Sequence, residues 1–353
     1  MQSKTQNSPQ NKSSSSSQNF YQLEPNLILD CVEKHGFVPT GEIQQLNSYE
    51  NRVFDIKLED TKNITEASQS SLITAQPTNL TEAKPKSLIA KFYRPGRWNI
   101  HTLQDEHNFE IELKNESLQV AAPYILKNKS TVDSADGIYY TFFEKIRGRM
   151  IQEFLPNDFL KMGRWMAQLH NIGEARAAKN RATLGPSADN KWDLLMQMQD
   201  HVALEMRAKY FEAAEKIFEL LDEKLPQHKF LRIHGDLHRG NILESPEGFV
   251  VVDFDDFVNG PAIQDVWMMM PDQNFKDSVE FEKLVAGYED LRHFPFEQIE
   301  LIPLLRGYRM ITYAGWILNR WSDPSFPKLF PDFGTYTYWA EETEALFKIA
   351  HQF

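Results

Sequence analysis

The stretch LRIHGDLHRGNILESPEGFVVVDFDDF, Leu231 to Phe257, decides how this chain is to be read. Two apolar segments, one ending near Ile233 and one running through Val250 to Val252, have the character of strands. At their ends and in the loop that joins them lie His234, Gly235, Asp236, Asn241 and Asp253. Carboxylates and an amide therefore gather at one mouth. Asn241 and Asp253 offer oxygen alone, a set that suits Mg²⁺, which keeps waters and takes its remaining ligands from substrate phosphates. Asp236, on the same loop but offset from that pair, can accept a hydrogen bond from a hydroxyl nucleophile and orient it. Phosphoryl transfer to an alcohol needs this equipment.

The surrounding chain is 353 residues long, 41% hydrophobic and 25% charged. That is ordinary globular usage, which excludes collagen-like, fibrous and wholly disordered readings. Thirty-eight Lys and Arg against 50 Asp and Glu leave a net charge of −12. Such a balance repels phosphate backbones, so no nucleic-acid partner is expected, and the negative surface favours a basic acceptor. The one cysteine, Cys31, can form neither an intrachain disulfide nor a cysteine-based zinc site, which fits a cytoplasmic protein. Residues 1–20 are polar and lack the apolar stretch of a signal peptide, so they read as a disordered tail. Apolar runs such as residues 266–270 and 311–318 are far too short to span a bilayer. No membrane partner is expected, and we take the chain to act as a monomer.

Residues 25–35 predict a short helix ending at Gly36, and residues 52–58 and 87–93 predict strands. Between those strands, residues 59–86 are rich in Thr, Ser, Asn, Gln and Glu, with Pro77 and Pro85, and read as a polar insert. A helix over 101–116 and an aromatic strand over 137–146 complete a nucleotide-binding lobe of residues 21–146. Beyond it the periodicity is helical over 159–170, 192–225, 275–291, 298–321 and 336–349. Only 230–233 and 249–254 look like strands there, in a short hairpin-like element. Residues 147–353 are thus expected to form a helical catalytic and acceptor-binding lobe. The class is α+β, with a small antiparallel-sheet lobe, a larger helical lobe and one active site between them.

The string His-Gly-Asp-Leu-His-x-Gly-Asn-Ile followed by Val-Asp-Phe-Asp-Asp resembles the catalytic and metal-binding loops of the aminoglycoside phosphotransferase and choline kinase group, within the protein-kinase-like fold. Further segments, residues 46–54 (LNSYENRVF), 90–98 (AKFYRPGRW), 260–267 (GPAIQDVW) and 320–328 (RWSDPSFPK), look like the bacterial stress response kinase A family of serine/threonine protein kinases. This resemblance covers roughly residues 22 to 350. It implies that Asp236 is the catalytic base and that Asn241 and Asp253 hold Mg²⁺. It further implies that Lys91 pairs with ATP phosphates, that Glu106 orients Lys91, that Glu144 to Ile146 form the hinge whose backbone binds adenine, and that Ser48 lies in the turn over the phosphates. Asp265 would anchor the backbone of the catalytic loop. The implied acceptor is a Ser or Thr hydroxyl on a protein, in a stress response.

The sequence departs from protein kinases at large in two places. The turn Asn47-Ser-Tyr-Glu-Asn contains no glycine, so phosphate contact must come from Ser48 and local backbone N–H groups. The metal loop reads Asp253-Phe254-Asp255 where protein kinases have Asp-Phe-Gly, so no activation-loop phosphosite is implied. Arg94 and Arg97 can add positive potential beside Lys91, and the aromatic residues 321–333 can line the acceptor groove. Three alternatives stay open: a small-molecule alcohol kinase of aminoglycoside, choline or homoserine type, a non-catalytic nucleotide-binding module, and a metallohydrolase using His234, Asp236 and His238.

Overall fold

The computed structural model describes residues 20–21, 23–60, 85–270 and 275–353. The chain divides into two compact units, residues 1–151 with 240–255, and residues 152–239 with 256–353. The polar tail and the 59–86 insert fall almost wholly outside the described residues. Phe20, at the end of the tail segment, is buried in the core of the first unit.

That unit opens with α1 (Pro25–Lys34), which begins on a proline and is followed by Gly36 at φ +88°. Strands β1 (Pro39–Leu46), β2 (Arg52–Leu58) and β3 (Ser87–Phe92) come next. After them run α2 (Ile100–Asn115), β4 (Asp133–Ala135), β5 (Ile138–Glu144) and β6 (Arg149–Met150). Five strands form one antiparallel sheet in the order β1-β2-β3-β5-β4. Period-two alternation sorts β3 onto two faces. Leu88, Ala90 and Phe92 join Phe54, Ile56, Tyr140 and Phe142 in a core shared with Ile28, Cys31 and Val32 of α1. Lys91, paired with Val53 and Thr141, points to the opposite face. α2 covers that face, where its Leu103 packs with Tyr93 and Val132. The side chain of Asn99 caps α2 by accepting from the backbone N–H groups of His101 and Thr102.

Sequence pattern did not reveal β1. It is an edge strand, mostly exposed, with a register shift between Pro39 and Ile43 and Gly41 at φ +92°, so it lacks the alternation that betrays a half-buried strand.

The second unit is mainly helical. α3 (Pro156–Glu174), α4 (Lys191–Gln197), α5 (Leu204–Lys224) and the short β7 (Leu231–Ile233) lead into the loop that carries Asp236. The chain then supplies β8 (Ile242–Ser245) and β9 (Gly248–Val251) to the first unit, where they form a sheet with β6. β10 (Val258–Gly260), α6 (Ile263–Met269), α7 (Val279–Glu289), α8 (Ile302–Arg320), α9 (Phe326–Leu329) and α10 (Tyr336–Ala350) complete the second unit. Strand partners differ from the expected hairpin: β8 pairs with β9 across residues 246–247, while β7 pairs with β10. Elements of three or four residues are too short for periodicity to assign partners. The single helix expected over 192–225 is two helices, separated by turns around a buried Val202.

α3 and α7 meet through two glycines. A Cβ on Gly163 would stand 2.1 Å from the carbonyl oxygen of Leu284, and one on Gly287 would stand 2.0 Å from that of Leu160. Neither backbone can give way cheaply, so Gly287→Ala is expected to destabilise the protein by about 1–3 kcal/mol as an overpacked contact. A lower midpoint in urea unfolding followed by helix ellipticity checks this; an unchanged midpoint would contradict the close approach.

Candidate active site

Lys91 sits almost wholly buried in the middle of β3. An ammonium there must meet anions, because burying an unpaired charge costs far more than a fold of this size can spare. Its Nζ lies 3.1 Å from Asp253 Oδ1, 3.3 Å from Asp255 Oδ1 and 3.6 Å from Glu106 Oε1, and 5.1 Å from the centre of the Tyr93 ring. Burial works against the charge, but Asp253, Asp255 and Glu106 outweigh it and hold the group well above its usual range. Glu106 comes from the buried face of α2, one turn before Glu110. Burial, then the charge of Glu106, push the Glu110 carboxyl well up, which favours its neutral form.

Asp253 follows directly on the segment in which the Val252 amide donates to the Asn241 carbonyl at 2.9 Å, so Asn241 and Asp253 are held as neighbours along the chain's return. Its backbone adopts φ +64°, a left-handed conformation that few non-glycine residues take and that aspartate tolerates better than most. The Asp253 side chain remains half exposed, while Asn241 is nearly buried. An amide oxygen and a half-exposed carboxylate are oxygen donors of the kind that fits a hard divalent cation. Among the described residues, Glu106, His107 and Glu110 cluster as potential ligands. His107 offers neither nitrogen, since Nε2 bonds the Tyr93 hydroxyl at 2.7 Å and Nδ1 bonds Thr131 Oγ1 at 2.7 Å.

The glycine-free turn is pinned by side chains. Ser48 Oγ accepts from the Asn51 amide at 3.3 Å, and Asn51 Nδ2 donates to Asp255 Oδ2 at 3.2 Å. Arg94 donates to the carbonyls of Tyr49 and Glu50, and Arg97 Nη1 reaches Asp255 Oδ2 at 2.5 Å. The second aspartate of Asp253-Phe254-Asp255, where protein kinases have glycine, thus ties the turn and Arg97 to Lys91. Of the hinge residues, Glu144, at the end of β5, is exposed beside Lys114, Lys145 Nζ donates to the buried Asp55 Oδ2 at 2.5 Å, and Ile146 is half buried.

In the second unit, Asp236 stands on a loop whose backbone is clamped by buried side chains. Asp265, fully buried, accepts from the amides of His234 at 2.9 Å and Gly235 at 2.8 Å, and His170 Nε2 lies 3.2 Å from it. Gln264 Nε2 donates to the Gly235 carbonyl at 3.1 Å. Gly235 itself is at φ +82°, and a Cβ there would stand 2.5 Å from the Asp256 carbonyl oxygen, so only glycine fits. His234 is buried and accepts from the Asp236 amide through Nδ1 at 3.3 Å, a contact that supports the loop. Asp236 Oδ1 lies 2.7 Å from Arg309 Nη2 and Oδ2 lies 3.4 Å from His238 Nε2. Burial would raise the Asp236 carboxyl, but His238 and then Arg309 reverse that and hold it below the usual carboxylate range. A carboxylate kept ionised and partly accessible can take a hydrogen bond from a hydroxyl.

Sequence reading missed Arg309, Asn51 and the contact of His238 with Asp236. Arg309 stands on a helix remote in sequence, with no motif to mark it. The aromatic residues expected to line an acceptor groove contribute Trp321 and Phe333 to a cavity of about 450 Å³, shared with Asp200, His201 and Trp339. No described helix is long and apolar enough to cross a membrane.

Residues 77–299 match the family described as the phosphotransferase enzyme family. The serine/threonine protein kinase RdoA of Salmonella typhimurium is 30% identical over 94% of this chain and 95% of its own length. Stress response kinase A of Escherichia coli K12 is 30% identical over 92% of each chain. Among solved structures, the amicoumacin kinase hAmiN, in complex with AMP-PNP, Ca²⁺ and Ami, superposes with a TM-score of 0.68 at 15% identity over 93% of each chain, a likeness of fold. An antiparallel-sheet unit, a helical unit and a loop bearing Asp236 and Asn241 are thus the parts of a two-lobed, protein-kinase-like phosphotransferase, and the chain belongs to the stress response kinase A family within the phosphotransferase enzyme family.

Proposed function

We propose that the protein is an ATP- and Mg²⁺-dependent serine/threonine protein kinase of a stress response. The observation that carries this reading is the buried ammonium of Lys91, gathered with Glu106 and Asp253. A cation built into a sheet and aligned by a helix carboxylate is a receptor for phosphate oxygens, and a metal-ligating aspartate beside it fits the same phosphates. The protein-acceptor part of the reading is supported by the 30% identical relative named a serine/threonine protein kinase.

In this reading Lys91, oriented by Glu106, holds the α and β phosphates, Ser48 and the backbone of its turn cover them, and the hinge at Glu144 and Ile146 receives adenine. Asn241 and Asp253 hold Mg²⁺, which when bound neutralises developing charge on the phosphates. Asp236 accepts the hydrogen bond of the acceptor hydroxyl. As the oxygen–phosphorus bond to the γ-phosphoryl forms and the bond to the β-phosphate oxygen breaks, the hydroxyl proton passes to Asp236 and ADP leaves. Asp236 and Asn241 are five residues apart on one loop, hence within about 17 Å of each other however the chain runs. The clamp by Asp265 holds the His234 and Gly235 backbone immediately before Asp236.

Three outcomes are expected. Asp236→Asn should lower kcat by about 10²–10⁴-fold with little change in ATP binding; labelled-phosphate transfer measured beside nucleotide affinity checks this, and unchanged transfer would favour a non-catalytic role. Replacing Lys91 with Met should instead weaken ATP binding and transfer together, read by calorimetry with a non-hydrolysable analogue. Because Asp236 is held below the usual carboxylate range, the acid limb of kcat/KM should lie below about pH 4. His238→Ala removes a group that lowers it and should move that limb upward. A limb already at pH 5–6 in the unmodified protein would contradict the geometry.

A further inference from the structure

Asp236 does not offer an acceptor a bare carboxylate. Arg309 stands 2.7 Å from one oxygen and His238 3.4 Å from the other, and the carboxylate is only 19% exposed. A hydroxyl that is to donate to Asp236 must share or displace one of these neighbours. Displacing Arg309 strands a guanidinium beside a partly desolvated site unless the incoming molecule supplies an anion of its own. A neutral acceptor leaves that charge uncompensated, and a basic one adds repulsion. An acceptor with a carboxylate or phosphate close to its hydroxyl restores the pair, because the guanidinium fork matches either group and frees an Asp236 oxygen for the hydroxyl.

Arg309 lies on the half-exposed face of α8 with Arg306, Tyr313 and Trp316, at spacings of three and four residues that put them on one stripe. Arg306 is fixed near the same loop by a short relay. Its guanidinium sits 5.7 Å from the Trp267 ring, Trp267 Nε1 donates to Gln264 Oε1 at 3.0 Å, and Gln264 donates to the Gly235 carbonyl. Further along, Tyr313 stacks on Trp316 at 5.3 Å, and Trp316 packs on Phe326 and Phe330. The stripe is cationic where it meets Asp236 and aromatic beyond.

We infer that Arg309 is the specificity-determining residue for the acceptor, and that the acceptor carries an anionic group beside the hydroxyl that is phosphorylated. This rests on the role proposed for Asp236 and narrows it: on a polypeptide, the Ser or Thr would have an acidic or already phosphorylated neighbour. Local charge at Asp236 thus opposes the expectation of a basic acceptor drawn from the net charge of −12.

The test uses the full chain with labelled ATP and Mg²⁺. Acceptors are serine peptides flanked by Ala, Asp, phosphoserine or Arg, and small alcohols with and without a carboxylate or phosphate. The native protein should favour anionic members over neutral ones roughly tenfold in kcat/KM, mainly through KM. Arg309→Gln should abolish the preference and Arg309→Lys should keep part of it. The ratio between acceptors cancels any general loss from disturbing Asp236, and a thermal melt shows that both variants are folded. A preference for neutral or basic acceptors, no transfer to any anionic member, or an unchanged ratio in Arg309→Gln overturns the inference. Transfer to anionic small alcohols and to no peptide upholds it while removing the protein-acceptor reading. Transfer to peptides regardless of charge does the reverse.

Discussion

A buried positive charge organises the first unit. Lys91 occupies the central strand of a sheet, on the face away from the main apolar core, and three carboxylates surround its ammonium. An ammonium so deeply desolvated is stable only while those carboxylates stay close. Much else follows from keeping them there. α2 must present Glu106 to the sheet, which fixes the cap at Asn99 and the packing of Leu103. The β8–β9 segment must join this unit, although it follows the helical stretch in the chain, because Asp253 and Asp255 lie at its end. Asp253 accepts a left-handed backbone to do so.

Asp255 shows how the turn without glycine remains ordered. Asn51 and Arg97 both bond its carboxylate, so the turn at residues 47–51 is tethered by side chains rather than shaped by backbone freedom. The second unit solves its own placement problem differently. There a buried carboxylate, Asp265, accepts from two successive amides of the loop, and Gln264 donates to the Gly235 carbonyl that follows them. Asp236 itself is left to interact through its side chain. Both units use buried charge to position a group, and both compensate it within hydrogen-bonding reach.

Much of this was legible in the sequence. The strands over 52–58 and 87–92 and the helix at 100–115 announced themselves by periodicity, and Lys91 stood out as a charge inside an apolar run. The loop from His234 to Asp253 pointed to the phosphotransferase family as a whole string, through its resemblance, and not through the spacing of any one pair of residues. What remained hidden was long-range or weakly patterned. β1 is a polar edge strand, the β7–β10 pair has three residues a side, and Arg309 reaches Asp236 from a helix far along the chain. The two readings of the acceptor differ for a related reason: net charge averages over the surface, whereas the inference drawn from Arg309 rests on the few groups around one carboxylate.

We propose that the carboxylate-bound ammonium of Lys91 is a receptor for the phosphates of ATP. A crystal structure with a non-hydrolysable ATP analogue and Mg²⁺ tests it most directly. It should show Lys91 Nζ exchanging its contact with Asp253 for phosphate oxygens while keeping Glu106, with Asn241 and Asp253 about 2.1 Å from the ion. A nucleotide bound elsewhere, or one bound with Lys91 still clamped by Asp253 and Asp255, would contradict it.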